Sequence, residues 1–472
     1  MSETKSTPNF NDANAYLGQK PVGKLLLKFS IPCVLSMLVG ALYNIVDQIF
    51  IGQGVGYLGN AATNVVYPFT VVALAISLLI GDGSAALLSL SLGRKDNETA
   101  HKSVGNAIIM TAVLSIVLTA VGFIFEDQIL TLFGATEACF DYAKEYMTVI
   151  LIGIPFYIFT TSLNGAIRAD GSPKYSMIAT VIGAIINIIL DPIAIFALNM
   201  GVTGAAIATI IGQITTAIIS ILYFRKTKAF KLTKESFKPS GKIIGMVSKL
   251  GVSSFVIQIA IVVVMSISNN LIGKYGPQSI FGADIPLSVV GIVMKVFGIV
   301  MSFPIGISVG GQPIIGYNYG AKKYGRVIDT LKHITISNAV VGVIATLLFE
   351  FCPQFFINMF GSESELYNRY ALMTFRVFLA GILLCCVQKG SCIFLQSIGK
   401  PAKSMTLSLT RDIIFFIPAM LIITPLTDVE TMLWSAPIAD VLSFIITVTV
   451  VALEVKNIKK LEAEQKMLNE QA

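Results

Sequence analysis

The chain has 472 residues, of which 54% are hydrophobic and 13% charged, with a mean hydropathy of +0.77. That balance excludes an ordinary globular domain and puts the protein with polytopic membrane proteins. The net charge of +7 sits in short loops between apolar runs, which argues against a nucleic-acid surface. Six cysteines without a C-x-x-C pair, and two histidines, His101 and His333, offer no basis for a structural zinc site or a disulfide framework.

Residues 1–24 read as a polar tail without the layout of a cleavable signal peptide. Apolar runs long enough to span a bilayer follow at 25–50, 61–90, 104–125, 138–167, 173–197 and 203–224. A second set lies at 247–272, 284–315, 327–349, 365–396, 403–424 and 432–454. Twelve transmembrane helices are therefore predicted, with no strands.

Loop charge orients them. The tail carries Lys5, Lys20 and Lys24, and every second loop is basic: Arg94, Lys95 and Lys102, then Arg168 and Lys174, then eight basic residues from Arg225 to Lys249. Lys322, Lys323 and Arg326 follow, then Lys400 and Lys403, and Lys456, Lys459, Lys460 and Lys466 close the chain. The opposite loops hold Glu126, Asp127, Glu350, Glu363, Asp428 and Glu430, with Lys274 as the basic exception. The positive-inside rule then puts both termini in the cytoplasm, in a plasma membrane.

The chain also repeats. Gly83 corresponds to Gly310 and Gly93 to Gly320, at an offset of 227 residues. Phe133-Gly134 corresponds to Phe360-Gly361 at the same offset, and Pro173 to Pro401 at 228. Gly93 and Gly320 are expected to serve the turns that return the chain to the next helix. Six spans per half is an even number, so the halves are parallel, and they should enclose a central cleft. The domains read as a tail (1–24), an N-lobe (25–224), a linker (225–246), a C-lobe (247–454) and a second tail (455–472).

The chemistry lies in IGAIINIILDPIAIF, residues 182–196. Asn187 and Asp191 are four apart, so they share a helix face, and Pro192 breaks the ladder beside them. A carboxylate in hydrocarbon costs about 2.5–3.5 kcal/mol on insertion scales, and such groups handle ions or protons. Asp191 is about 24 Å into its span from one side, and Thr209 about 9 Å into the next from the other, at 1.5 Å per residue. The two depths nearly coincide. Asp47 of ALYNIVDQIFIG joins them in the same half of the membrane. Two carboxylates, an amide oxygen and a hydroxyl suit Na⁺ or a proton, and the residues do not choose between these. Offset by 228, Asn187 and Asp191 fall on Phe415 and Ala419, so the acids belong to the N-lobe. In the C-lobe, Lys295 and Asp440 are at similar depth and are expected to pair, as a structural bridge or a gate. Arg411 and Asp412 are expected at a helix end.

IPCVLSMLVGALYNIVDQIFIG, INIILDPIAIF and GISVGGQPIIGYNYGAKK resemble the MATE family of multidrug and toxic-compound extrusion transporters, in its MepA-type bacterial branch. The resemblance covers essentially the whole chain. It implies twelve helices in two six-helix lobes and export of amphiphilic, often cationic drugs and dyes in exchange for H⁺ or Na⁺. It also implies a monomer without a cofactor. Asp47, Asn187, Asp191 and Thr209 match the family's N-lobe cation positions. Where some relatives carry C-lobe acids, this chain has Asn269, Asn270, Arg376 and Lys389. Two other readings stand beside it. A flippase for a lipid-linked precursor would favour an arginine-dense cleft. An intramembrane aspartyl enzyme would use two aspartates, and the chain has no H-E-x-x-H pattern.

Overall fold

In hydrocarbon every backbone N–H and C=O needs an internal partner, and helices supply one locally. The computed structural model describes residues 14–282, 284–360 and 364–470, and contains helices and no strand among them. Lys5, Gly361 and Glu363 lie outside the described residues. In the first half the spans are α1 (Val22–Gly54), α2 (Leu58–Gly93), α3 (Asn97–Ile124), α4 (Phe140–Ala169), α5 (Pro173–Ala197) and α6 (Gly201–Phe224). In the second they are α7 (Gly241–Gln278), α8 (Ile285–Gly320), α9 (Tyr324–Phe351), α10, α11 (Pro401–Leu426) and α12 (Thr431–Met467). Eleven are continuous, and α10 is a pair, Glu365–Phe378 and Ile382–Ser397, bent by 47°.

The repeat is visible in the helix bounds. α3 and α9 are both 28 residues long and begin 227 residues apart. Short helices, Glu126–Leu132 and Pro353–Phe360, follow them at the same offset. α5 and α11 each begin on a proline, where a missing N–H costs nothing. The result is an all-α membrane protein of two parallel six-helix lobes.

The lobes meet where side chains are smallest. α1 packs on α8, and α2 packs on α7 and α8. A Cβ on Gly83 would strike the carbonyl oxygen of Val247, and one on Gly251 that of Leu79. Cβ positions on Gly306 and Gly310 lie 2.7 Å from the Cα atoms of Val34 and Ser30. All these residues are in the halves of their helices nearer the chain termini. In the opposite halves the backbones part: a Cβ on Gly40, Gly291 or Gly298 would meet nothing within 4 Å. The cleft between the lobes therefore opens away from the termini.

Gly93 and Gly320 belong to this seam, not to the turns. A Cβ on Gly93 would strike the carbonyl oxygen of Tyr317, and one on Gly320 that of Leu90. The left-handed turn conformation falls instead to Lys95 (φ 60°) and Lys322 (φ 56°). The repeat pairs the two glycines because they face each other.

Part of the segment read as a polar tail is built into the fold. Residues Ala15–Gly18 form a short helical turn with Leu17 buried. Asn14 donates to the carbonyl of Ala169 in the N-lobe (3.1 Å). In the C-lobe, Asn318 (3.0 Å) and Arg326 (2.9 Å) donate to the carbonyl of Leu17. Lys323 donates to that of Gly18 (3.0 Å). This strap crosses the closed side of the seam. Nearby, Asp170 accepts from the Tyr223 hydroxyl and from the amides of Lys228 (2.8 Å) and Ala229 (2.6 Å), tying the start of the basic linker to the N-lobe. Burial pushes its carboxyl up, and these donors oppose the shift.

A valine at position 320 should force the seam apart, because the clash is with backbone that cannot rotate away. Gly320→Val should therefore lower the amount of folded protein in the membrane severalfold. Fluorescence-detected size exclusion of detergent-solubilised membranes measures it.

Candidate functional site

Pro192 has no N–H, so the carbonyl four residues earlier loses its donor and the helix widens. α5 accordingly ends in a π-helical stretch, Ile193–Ala197. The far end of α1 packs on that stretch: a Cβ on Gly54 would strike the side chain of Ile195, and the rings of Phe50 and Phe196 meet edge-on at 6.2 Å. α5 and α6 approach closely at Gly183 and Gly212, where a Cβ on either would lie 2.7 Å from the other's carbonyl oxygen. Both contacts draw the polar residues of three helices together.

One turn beyond the glycine pair, Asn187 Nδ2 donates to Asp191 Oδ1 (3.2 Å) and to Thr209 Oγ1 (3.3 Å). Asp47 reaches the group from α1, and the carboxyls of Asp47 and Asp191 are in hydrogen-bonding contact. The group is sealed: Asp191 is 0% exposed, Asn187 2% and Asp47 8%. Two touching carboxylates cannot both stay charged unless a cation or a shared proton lies between them. Asp47 Oδ1, Asn187 Oδ1 and Asp191 Oδ2 are buried without a hydrogen-bond partner. These oxygens fit a hard monovalent cation or a proton, because each has an unused lone pair where an apolar surrounding offers no water.

A cavity of about 120 Å³ adjoins the group, lined by Tyr43, Tyr157, Asn164, Thr180 and Gln213 besides Asn187 and Thr209. Asn164 and Thr180 sit near the terminus-side ends of α4 and α5 and are hydrogen-bonded to each other (3.4 Å). The polar lining thus extends from the carboxylates toward that side. Sequence reading missed Tyr43, Asn164, Thr180 and Gln213. The available signal was the pairing of polar residues within apolar spans.

The C-lobe departs from expectation. Asp440 pairs with Arg411 (2.6 Å), not with Lys295. Arg411 also holds Asp412 (2.6 Å), and Lys389 lies 3.7 Å from Asp412. Arg411 and Asp412 are not at a helix end. They occupy a π-helical stretch, Thr410–Phe416, inside α11. The wider turn rotates Arg411 onto α12, which takes Asp440 from any other partner. The four charges cancel, and none of the ion pairs among the described residues includes Lys295.

Two parallel helical repeats around a cleft, with a polar pocket sealed inside one of them, are the parts of a membrane transporter. A family model described as MatE matches residues 32–193 and 253–422, and the chain belongs to the MATE family of transporters. It is similar to the multidrug export protein MepA of Staphylococcus haemolyticus, 26% identical over 90% of this chain and 92% of that protein. The MepA of Staphylococcus aureus strain N315 is also 26% identical, over 93% and 95%. A solved structure of the MATE multidrug transporter DinF-BH is 33% identical, with a TM-score of 0.86 over 92% of this chain and 96% of that one. A MOP superfamily transporter from Pyrococcus furiosus has the same fold at 21% identity, with a TM-score of 0.87 over 95% and 99%.

Removing one member of a buried ion pair strands the other, at about 3–5 kcal/mol, whereas replacing both is far milder. Arg411→Met alone should therefore lower the melting temperature of the purified protein clearly more than Arg411→Met combined with Asp440→Asn, which leaves Lys389 and Asp412 as a matched pair. Thermal unfolding in detergent, read by size-exclusion fluorescence, compares them.

Proposed function

We propose that the protein exports amphiphilic, often cationic compounds from the cell in exchange for H⁺ or Na⁺. Asp47, Asn187, Asp191 and Thr209 form the coupling site. The observation that carries this reading is the contact of two buried carboxylates with three unpartnered oxygens, sealed inside one lobe. A transporter of this kind needs two things: a place for the driving ion, and a cleft that opens to one side at a time. Ion and substrate are coupled if each favours a different arrangement of the lobes, because a ligand shifts an equilibrium only by its differential affinity. Neutralising the carboxylate pair would relax the repulsion that otherwise strains the packing of α1 on α5. Since α1 also forms the seam with α8, that change can bear on the closure of the cleft. The multidrug names of the relatives support the substrate class.

In this reading residues 25–224 and 247–454 rock about the seam, and 225–246 is the cytoplasmic connection between them. Both termini are cytoplasmic, so the cleft as observed faces out of the cell. The protein works as a monomer in the plasma membrane, with no catalysis and no resident cofactor. Lipid surrounds it, and nucleic acid is not a partner.

Asp47→Asn and Asp191→Asn each keep the side-chain size and an oxygen but remove the charge. Each should bring ion-driven dye efflux in proteoliposomes to background while leaving membrane abundance unchanged. Normal coupled efflux by both variants would contradict the coupling site. Cysteines placed in 225–246 should resist an impermeant thiol reagent applied outside intact cells, and labelling there would reverse the orientation.

A further inference from the structure

A third N-lobe carboxylate lies in the seam itself, away from the coupling site. Asp82 of α2 is half-buried, about 12 Å inside the terminus-side end of its apolar run at 1.5 Å per residue. The glycines on either side of it make close approaches. A Cβ on Gly81 would lie 2.8 Å from the carbonyl oxygen of Ser162 in α4, and one on Gly83 would strike that of Val247 in α7. The backbone that carries the acid is thus held between its own lobe and the other.

The carboxylate reaches across. Ser254 of α7 donates its hydroxyl proton to Asp82 Oδ2 (2.6 Å). Gln396 of α10 donates from Nε2 to that hydroxyl oxygen (3.2 Å) and to the carbonyl of Leu250 (3.0 Å). The Leu250 carbonyl needs a donor, which fixes the orientation of the amide and leaves the one proton of Ser254 for Asp82. The scaffold does not require an acid here. At the repeat offset of 227, Asp82 corresponds to Val309, which is buried in the same seam at 7% exposure.

Few charges bear on it. No ion pair among the described residues includes Asp82. Arg168 of α4 is the charged side chain close enough to act on it. Of the other helices packed on α2, α1 brings the buried thiol of Cys33 at this level. α3 has no titratable residue beyond Lys102, α7 none between Lys249 and Lys274, and α8 none between Lys295 and Tyr317. In α10, Lys389 and Cys392 are engaged with Asp412 and Ser408.

We infer that Asp82 is a proton-operated latch on the terminus side of the cleft. With its proton bound it stays docked on Ser254 and holds the lobes together there, and once ionised it favours their parting. Solvation sets the direction. Docked, the side chain has a single hydroxyl donor. Parted, it meets water, and a carboxylate gains more from water than a carboxylic acid does. Closure therefore takes up a proton, so acid favours the closed seam and alkali the parted one. Arg168 belongs to the same lobe and stays with Asp82 in both arrangements, so it shifts the pH at which the latch turns and not its direction. The inference rests on the proposed alternating access. It adds a positioning residue that reads the pH of the terminus side, distinct from the pair at Asp47 and Asp191.

The test uses the full-length protein in lipid nanodiscs, with Cys352 replaced by serine. Nitroxide labels go on Lys174→Cys and Ala402→Cys, exposed positions in the first turns of α5 and α11. Pulsed EPR gives the ratio of parted to closed molecules from about pH 5 to about pH 9. In the parent chain, and in one carrying Asp47→Asn and Asp191→Asn, that ratio should rise about tenfold with pH. Asp82→Asn should hold either chain closed and flat across the range. Asp82→Val, which copies the residue at 309, serves if the amide variant fails to fold. A pH dependence that survives both substitutions overturns the latch, and so does a parent chain whose labels ignore pH. If the labels also stay fixed when a cationic dye is added, the alternating-access reading fails with it, whereas movement with dye alone rejects only the latch.

Discussion

Charge in hydrocarbon must be paired, hydrated or neutralised. This protein meets that demand in several ways; Asp82 of α2, for one, accepts a hydrogen bond from Ser254 of α7 (2.6 Å). In the C-lobe, Lys389, Arg411, Asp412 and Asp440 form a closed set with no net charge. In the N-lobe, Asp47 and Asp191 touch without a basic partner. On α8, Lys295 is exposed and belongs to no ion pair among the described residues. The C-lobe set is complete, whereas the N-lobe pair lacks a counter-charge that a mobile species can bring.

The scaffold sets these demands beside an open cleft. On the terminus side the seam combines glycine-to-backbone contacts with a hydrophobic core that both lobes share, Phe29, Leu88 and Ala166 of one with Ile314, Ile315 and Phe394 of the other. That shared core holds the lobes together on one side while their opposite halves part. Each lobe keeps a core of its own in the half away from the termini, around Phe69, Met147 and Ile158 in one and Phe349, Phe375 and Phe416 in the other. The strap at residues 14–20 bonds to both lobes through main-chain carbonyls and so favours the closed side seen here.

The spans, the repeat and the N-lobe group were legible because polar residues stand out in apolar runs and because helix rise converts position into depth. Asn187 and Asp191 needed no tertiary information to share a face, and Thr209 needed only a depth match. Other features depend on helix rotation, which sequence spacing does not carry. Depth alone made Lys295 and Asp440 candidates to pair. The π-helical turn at Thr410–Phe416 swings Arg411 onto Asp440, and Lys295 lies on the opposite side of α8 from the C-lobe core. Gly93 and Gly320 read as turn residues because each precedes a loop, and their facing across the seam emerges only when the halves dock. The buried strap was hidden by its polar composition, since most of its bonds run from distant side chains to its main-chain carbonyls.

The central claim is that ion movement through the N-lobe group drives substrate through the cleft. It is tested most directly by imposing an inward H⁺ gradient, and separately an inward Na⁺ gradient, on proteoliposomes preset with equal dye on both sides. The account predicts that at least one gradient moves dye uphill, and that collapsing the gradient returns the dye to equality. Dye that only ever relaxes toward equality, at a rate indifferent to both gradients, would contradict it.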